Sequence, residues 1–208
     1  MPGQKASEAT RRTQILQAAC DIATRRGLHA LTVRHVAERA GLSVGLVLFH
    51  FKTKDALIIA VLDQVLETTT VLHMTDDIAA ITSPRARLLA LLRREMWRLS
   101  SEPHRIRLFF DFWALGFTDR RIRARMRAEL DRYREAFRPI AAEVVRSDPA
   151  RFAGVTAEGL AAVSVSFIKG CAVQSMIDPR NVKIDEFLAA TRGLFGAGVR
   201  ENAKPFAG

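Results

Sequence analysis

The chain has 208 residues, 49% hydrophobic and 26% charged, with a formal charge of +10. That apolar content suits a sizeable core and excludes disorder as the main state. The opening residues MPGQKASEATRRTQ carry no apolar core or cleavage-type site, and runs such as Ala56 to Leu62 stop at Asp63, far short of the roughly 20 residues that span a bilayer. A cytoplasmic protein is expected.

The charge is uneven. Residues 1–60 carry 9 Lys and Arg against 4 Asp and Glu, whereas residues 61–208 carry 23 against 18. The first segment therefore has over twice the net positive charge per residue, as a phosphate-binding region should. Cys20 and Cys171 lie inside apolar helical patterns and read as buried free thiols. Histidines 29, 35, 50, 73 and 104 lack ligand spacing, so no metal is expected, and no cofactor motif is present.

The stretch to about Glu8 has no periodicity and reads as an arm, in which Lys5, with Arg11 and Arg12 beyond it, suits a nucleic-acid backbone or a solvated tail equally. Ile15, Leu16, Ala19, Ile22 and Ala23 form one stripe of a helix that Gly27 ends. Leu28 to Leu31 connects it to a second helix capped by Thr32, with Val33, Val36, Ala37 and Ala40 at helical spacing. Gly41 suits a left-handed helix stop and Ser43 an N-cap, and Val44, Val47, Leu48 and Phe51 then repeat the spacing. Two short helices joined through a glycine describe a helix-turn-helix or an ordinary helical hairpin.

Lys54 opens a further helix to about Met74, passing His73, and the polar stretch Asp76 to Ser83 reads as a hinge or a domain boundary. Ser83-Pro84 starts another helix through Leu88, Leu91, Leu92 and Trp97, which Pro103 ends. Ile106, Phe109, Phe110, Trp113 and Phe117 repeat at three and four. Thr118-Asp119 caps a basic helix in which Pro139 predicts a kink or a break. Thr156 caps a helix to about Ile177, stopped by Asp178-Pro179, and the last helix covers about Asp185 to Phe195. No segment alternates as a strand does. The class is all-α, with about nine helices.

The wording of residues 32–57, TVRHVAERAGLSVGLVLFHFKTKDAL, goes further than spacing. Thr32, Arg34, Ala37, Ala40, Gly41, Ser43, Gly45, Val47, His50, Phe51, Lys54 and Leu57 fall without a gap on the DNA-binding motif of the TetR family of bacterial transcriptional regulators, which the segment resembles. Leu48 departs from the pattern, standing where the family has a phosphate-contacting tyrosine. The resemblance implies a three-helix helix-turn-helix domain over residues 1–53 and a helical ligand-sensing and dimerisation domain over 54–208. It further implies phosphate contacts from Thr32, Arg34, Lys52 and Lys54 and base contacts from Ser43, Leu46, Phe49 and His50, with much of the readout as apolar contact to thymine methyls plus DNA shape.

The second half, FDFWALGFTDRRIRARM followed by GLAAVSVSFIKGCAVQSMIDPRNVKIDEFLAATRGLF, resembles C-terminal domains of the betaine-responsive, BetI-type branch. Trp97, Phe109, Phe112, Trp113 and Phe117 belong to an aromatic concentration that suits either a core or a pocket for an apolar or cationic effector. Asp111, Glu95, His104, Lys169 and Gln174 are polar groups on those helices. Ala161, Ser164, Phe167, Gly170 and Cys171, with Phe187 and Leu194 on the last helix, resemble the family's dimer face, which sets two recognition helices about 34 Å apart. The arginines of residues 120–138, interleaved with Glu129, Asp131 and Glu135, read as a solvated face with intrahelical pairs.

The function expected is a homodimeric repressor that a small molecule releases from a palindromic operator. A ligand-independent architectural DNA binder or an activator fits the same motif. An enzyme does not, because no catalytic site is legible: paired carboxylates, a nucleophile with its base and a phosphate-cradling glycine loop are all missing from the sequence.

Overall fold

The computed structural model describes residues 7–69 and 74–194. Lys5, His73 and Phe195 lie outside them. The described residues form ten α-helices and a single 3-10 turn over Leu28–Ala30, with no strand among them. The tenth helix, relative to about nine expected, is the single turn α5 (Asp76–Ala79) in the stretch read as a hinge. Four residues are too few to show a period, but Asp76 and Asp77 suit the positive end of the turn.

The chain divides into two compact units, one of Met1–His73 with Arg98–Arg134 and the other of Met74–Trp97 with Glu135–Gly208. In the first, α1 (Glu8–Arg26) starts at Ser7, whose hydroxyl accepts from Thr10 N at 3.2 Å. It packs on α2 (Val33–Ala40), α4 (Lys54–Thr69) and α7 (Pro103–Gly116), while α3 (Val44–Phe51) packs on α2 and α4. One core joins them. Ile15, Ala19 and Ala23 of α1 meet Val36 and Ala37 of α2, Val47 and Phe51 of α3, Leu57, Val61 and Leu62 of α4, and Phe109 and Phe112 of α7. Burying each large side chain contributes about 1.5 to 3 kcal/mol, so eight-residue helices that are marginal alone persist by packing.

The second unit holds α5, α6 (Pro84–Ser100) as far as Trp97, α8 (Arg120–Ser147) from Glu135, α9 (Ala157–Ile177) and α10 (Ile184–Leu194). Leu88, Leu91, Leu92, Phe137, Ile140, Val144, Leu160, Val165, Ile168 and Leu188 are buried there. Arg87 Nη2 donates to Glu143 Oε2 at 2.7 Å, tying α6 to α8. Two proline expectations are sharpened. Pro103 opens α7 at its first turn, where its missing N–H has no helical partner to lose. Pro139 neither breaks nor ends α8, which runs through it: its ring is exposed, and buried Phe137, Ile140 and Ala141 hold the helix on either side.

By length and composition α9 is the one described helix apolar enough to cross a membrane. Much of it is buried against its own unit, as in the core helix of a globular protein.

Candidate nucleic-acid interface

Caps set the geometry of residues 32–57. The Thr32 hydroxyl accepts from His35 N at 3.1 Å, and the His35 ring Nδ1 donates to Ala30 O at 2.9 Å, fixing the entry to α2. Gly41 ends α2 at φ 64°, a left-handed geometry that a side chain would strain. Gln14 Nε2 donates to Ala40 O at 2.8 Å and satisfies a carbonyl the helix end leaves open. Ser43 Oγ then accepts from Leu46 N at 3.2 Å to start α3. The spacing thus yields two helices with a defined joint between them.

Of the expected base-contacting residues, Ser43 and Phe49 are exposed, whereas Leu46 and His50 are half-buried. The outward side of α3 is instead made of Val44, Gly45, Leu48 and Phe49, with Val47 and Phe51 in the core. Gly45 has ordinary helical backbone, and a Cβ added there would meet only the Ser43 hydroxyl, at 4.0 Å. Gly45 is the second residue of α3, where a glycine costs up to about 1 kcal/mol relative to alanine and no contact of the fold calls for one. A bare backbone there suits close approach by something outside the protein.

Among the expected phosphate contacts, Arg34 is exposed and pairs only with exposed Glu38 at 3.0 Å, and the Thr32 side chain is half-buried. Lys52 takes φ 61° and ψ −47° at the end of α3, with its Nζ 4.8 Å above the Phe49 ring. Lys54 is the first residue of α4, exposed and without an ion pair among the described residues. A cation at a helix N-terminus opposes the helix dipole, whereas an anion arriving there is favoured by both.

The positioning roles of Arg12 and Asp21 escaped the sequence reading. Arg12 Nη1 donates to His50 O at 3.2 Å while its guanidinium lies 4.4 Å from the Phe51 ring centroid, so α1 holds the end of α3. Asp21 accepts from Arg39 at 2.6 Å and from Arg25 at 2.6 Å, joining α1 to α2. Partners 18 and 38 residues apart leave no periodic signal.

The expected pocket residues separate. Phe109 and Phe112 are in the core of the first unit, Trp113 is half-buried against it, and Phe117 is 70% exposed. Trp97 is exposed and belongs to the second unit. The Phe109, Phe110 and Trp113 rings do meet, with centroids 5.4 to 5.7 Å apart. Of the polar groups, Glu95 and Lys169 are buried, Asp111 is half-buried, and His104 and Gln174 are exposed.

Of the expected dimer face, Ala161, Ser164 and Cys171 turn into their own unit, Phe167, Gly170 and Phe187 are half-buried, and the Leu194 side chain lies outside the description. The surface of α9 is carried by Val163, Ser166, Gly170, Val173 and Ile177, at alternating spacings of three and four. Both thiols are free, and burial pushes Cys20 up to about 11 and Cys171 above its ordinary value, so neither is a reactive thiolate at neutral pH.

Comparison with known proteins places the chain in a family. Residues 15–61 match the profile of bacterial regulatory proteins of the tetR family, and residues 84–195 match that of the BetI-type transcriptional repressor C-terminal region. The HTH-type transcriptional regulator BetI of Cronobacter sakazakii is 28% identical over 159 residues, 74% of this chain and 75% of that protein. BetI of Burkholderia mallei is 27% identical over 186 residues, 86% of this chain and 94% of that one. Solved structures share the fold: a TetR transcription regulator from Haloarcula marismortui has a TM-score of 0.65 at 21% identity, covering 90% of this chain and 96% of its own. A protein from Saccharomonospora viridis in complex with choline has a TM-score of 0.65 at 18% identity, covering 89% and 95%. The chain belongs to the TetR family of bacterial transcriptional regulators, DNA-binding proteins and not enzymes, with a BetI-type C-terminal region.

Proposed function

We propose that this chain is a cytoplasmic homodimeric repressor, released from a palindromic operator by a small molecule. The observation that carries the DNA-binding assignment is the outward side of α3, where caps meet every internal need while Gly45 keeps the backbone bare and Phe49 stands exposed. Residues 1–53 act as the DNA reader and 54–208 as sensor and dimeriser. Thr32, Arg34, Lys52 and Lys54 hold phosphates and set register, while α3 enters the major groove.

Dimerisation is supported by α9. Val163, Val173 and Ile177 are 44%, 36% and 83% exposed on a seam of coiled-coil spacing, and a Cβ added at Gly170 would meet nothing within 4 Å. A second copy laid along this seam buries it and gives the two-fold symmetry that a palindrome requires.

The effector reading rests on the aromatic group of α7 and on the choline held by the Saccharomonospora viridis protein of the same fold. Quaternary ammonium compounds suit such rings through cation–π attraction. Because α7 packs on α4, a ligand touching Trp113 repositions α4 and, through it, Lys54 and α3. Release follows only where the ligand binds the DNA-incompetent state better.

Selection of bound DNA from a random pool, with the full chain, tests this reading. A two-fold symmetric site with half-site centres one helical turn apart is expected, and its affinity should fall on addition of choline. Recovery of an asymmetric sequence overturns the dimeric reading, and affinity unchanged by quaternary ammonium compounds overturns the effector class.

A further inference from the structure

The side of α3 that faces out offers a base edge little to hydrogen-bond. Val44, Leu48 and Phe49 are 43%, 39% and 59% exposed; Val44 and Leu48 are neighbours four residues apart, and Phe49 stands four residues from bare Gly45 in the adjoining row. Ser43 Oγ accepts from Leu46 N as the α3 cap, which leaves a single hydroxyl donor at the start of the helix. His50 is half-buried, its carbonyl held by Arg12 and its ring set edge-on to Phe49 with centroids 5.3 Å apart. The Lys52 ammonium sits on the Phe49 ring, so ring and cation support one another from the end of the helix.

An exposed apolar patch on a Gly-thinned helix without a lysine or arginine of its own calls for an apolar feature on its target. The major-groove edges of the four bases present one such feature, the C5 methyl of thymine. Cytosine has hydrogen at that carbon, and 5-methylcytosine restores the methyl.

Resting on the reading of this chain as a DNA-binding dimer with α3 in the groove, we propose that it is a C5-methyl reader. Phe49 is the specificity-determining residue, flanked by Val44 and Leu48, and it contacts C5 methyl groups at fixed operator positions. Two consequences follow. Thymine is required there for its methyl more than for its hydrogen-bonding edge, and a 5-methylcytosine at such a position binds better than a cytosine, making operator affinity sensitive to cytosine methylation.

The test uses the full chain and the operator recovered from the random pool, rebuilt as duplexes in which each thymine in turn is replaced by uracil, which removes only the methyl. At one or two positions per half-site, affinity should fall about fourfold for each methyl lost, the transfer value of one such group. At the same positions, 5-methylcytosine should bind about fourfold tighter than cytosine. Phe49→Ser should erase both differences and bring affinity for the native operator down to about that of the uracil duplex, while the protein stays folded because the side chain is 59% exposed.

Equal affinity of the unaltered protein for thymine and uracil duplexes at every position overturns the proposal and needs no variant to show it. Methyl discrimination that survives Phe49→Ser overturns the assignment to Phe49. A pool without any enriched sequence overturns the DNA-reader assignment itself, a result distinct from the other two.

Discussion

Arg125 Nε on α8 donates to Asp63 Oδ1 on α4 at 2.8 Å. One turn earlier Arg121 Nη2 reaches Asp55 Oδ2 at 3.1 Å, the residue next to Lys54. The first turns of the arginine-rich helix thus lie along α4 and pair with two of its carboxylates. Three acids of α8 pair within the helix, Arg132 with Glu129 at 2.6 Å, Arg134 with Asp131 at 3.4 Å and Arg138 with Glu135 at 2.8 Å. Both the Arg125 and Asp63 side chains are close to half exposed, so the bridge is worth little. Arg125→Ala should cost less than about 1 kcal/mol, and the loss should shrink at high salt. Urea unfolding at low and high salt measures it.

Asp21 holds α1 to α2, and the pH dependence of that joint has a definite sign. The hydrogen bond from Arg25, with that from Arg39, keeps its carboxyl below the usual 3.8 of an aspartate. A folded-state value below the unfolded one means that the carboxylate stabilises the fold fully above about pH 4. That contribution is lost as pH falls through the depressed value. The urea midpoint of the native chain should therefore drop more steeply between about pH 5 and pH 3 than that of Asp21→Asn.

Gly45→Ala should move stability and DNA binding in opposite directions. The added methyl meets only the Ser43 hydroxyl at 4.0 Å and relieves the glycine of its backbone entropy, raising stability by about 0.5 to 1 kcal/mol. The same methyl stands between α3 and the DNA, so operator affinity should fall. Thermal unfolding and a binding titration on one preparation give both signs.

Lys54→Ala should leave unfolding unchanged or slightly harder, because the lysine opposes the α4 dipole and has no ion pair among the described residues. Binding should weaken on every DNA sequence. The slope of log affinity against log salt should become shallower by about one phosphate contact per subunit. An unchanged slope removes Lys54 from the phosphate set.

Phe112 and Trp113 are adjacent and should behave differently. Phe112 is fully buried, so Phe112→Ala should cost about 3 to 5 kcal/mol, read by urea unfolding. Trp113 is half-buried against Phe109 and Phe110. Trp113→Ala should leave a folded operator binder that choline no longer releases; outright unfolding instead makes Trp113 a core residue.

The sequence by itself determined the elements and the family. Apolar positions three and four apart, Ser and Thr caps, Gly41 and the helix-starting prolines are local signals, because a helix is stabilised by contacts within a few residues along the chain. The run from Thr32 to Leu57 named the DNA reader for the same reason. Tertiary structure alone decided which side of each helix faces out. The α9 small residues were legible, but Ala161, Ser164 and Cys171 turn inward and Val163, Val173 and Ile177 turn outward, since orientation depends on what packs against the helix. It also assigned Phe109 and Phe112 to a core and Phe117 to the surface, although all three share one aromatic run. Arg12, Asp21 and Arg125 have partners 18 to 62 residues away, a range at which spacing carries no information and only the folded chain brings the partners together.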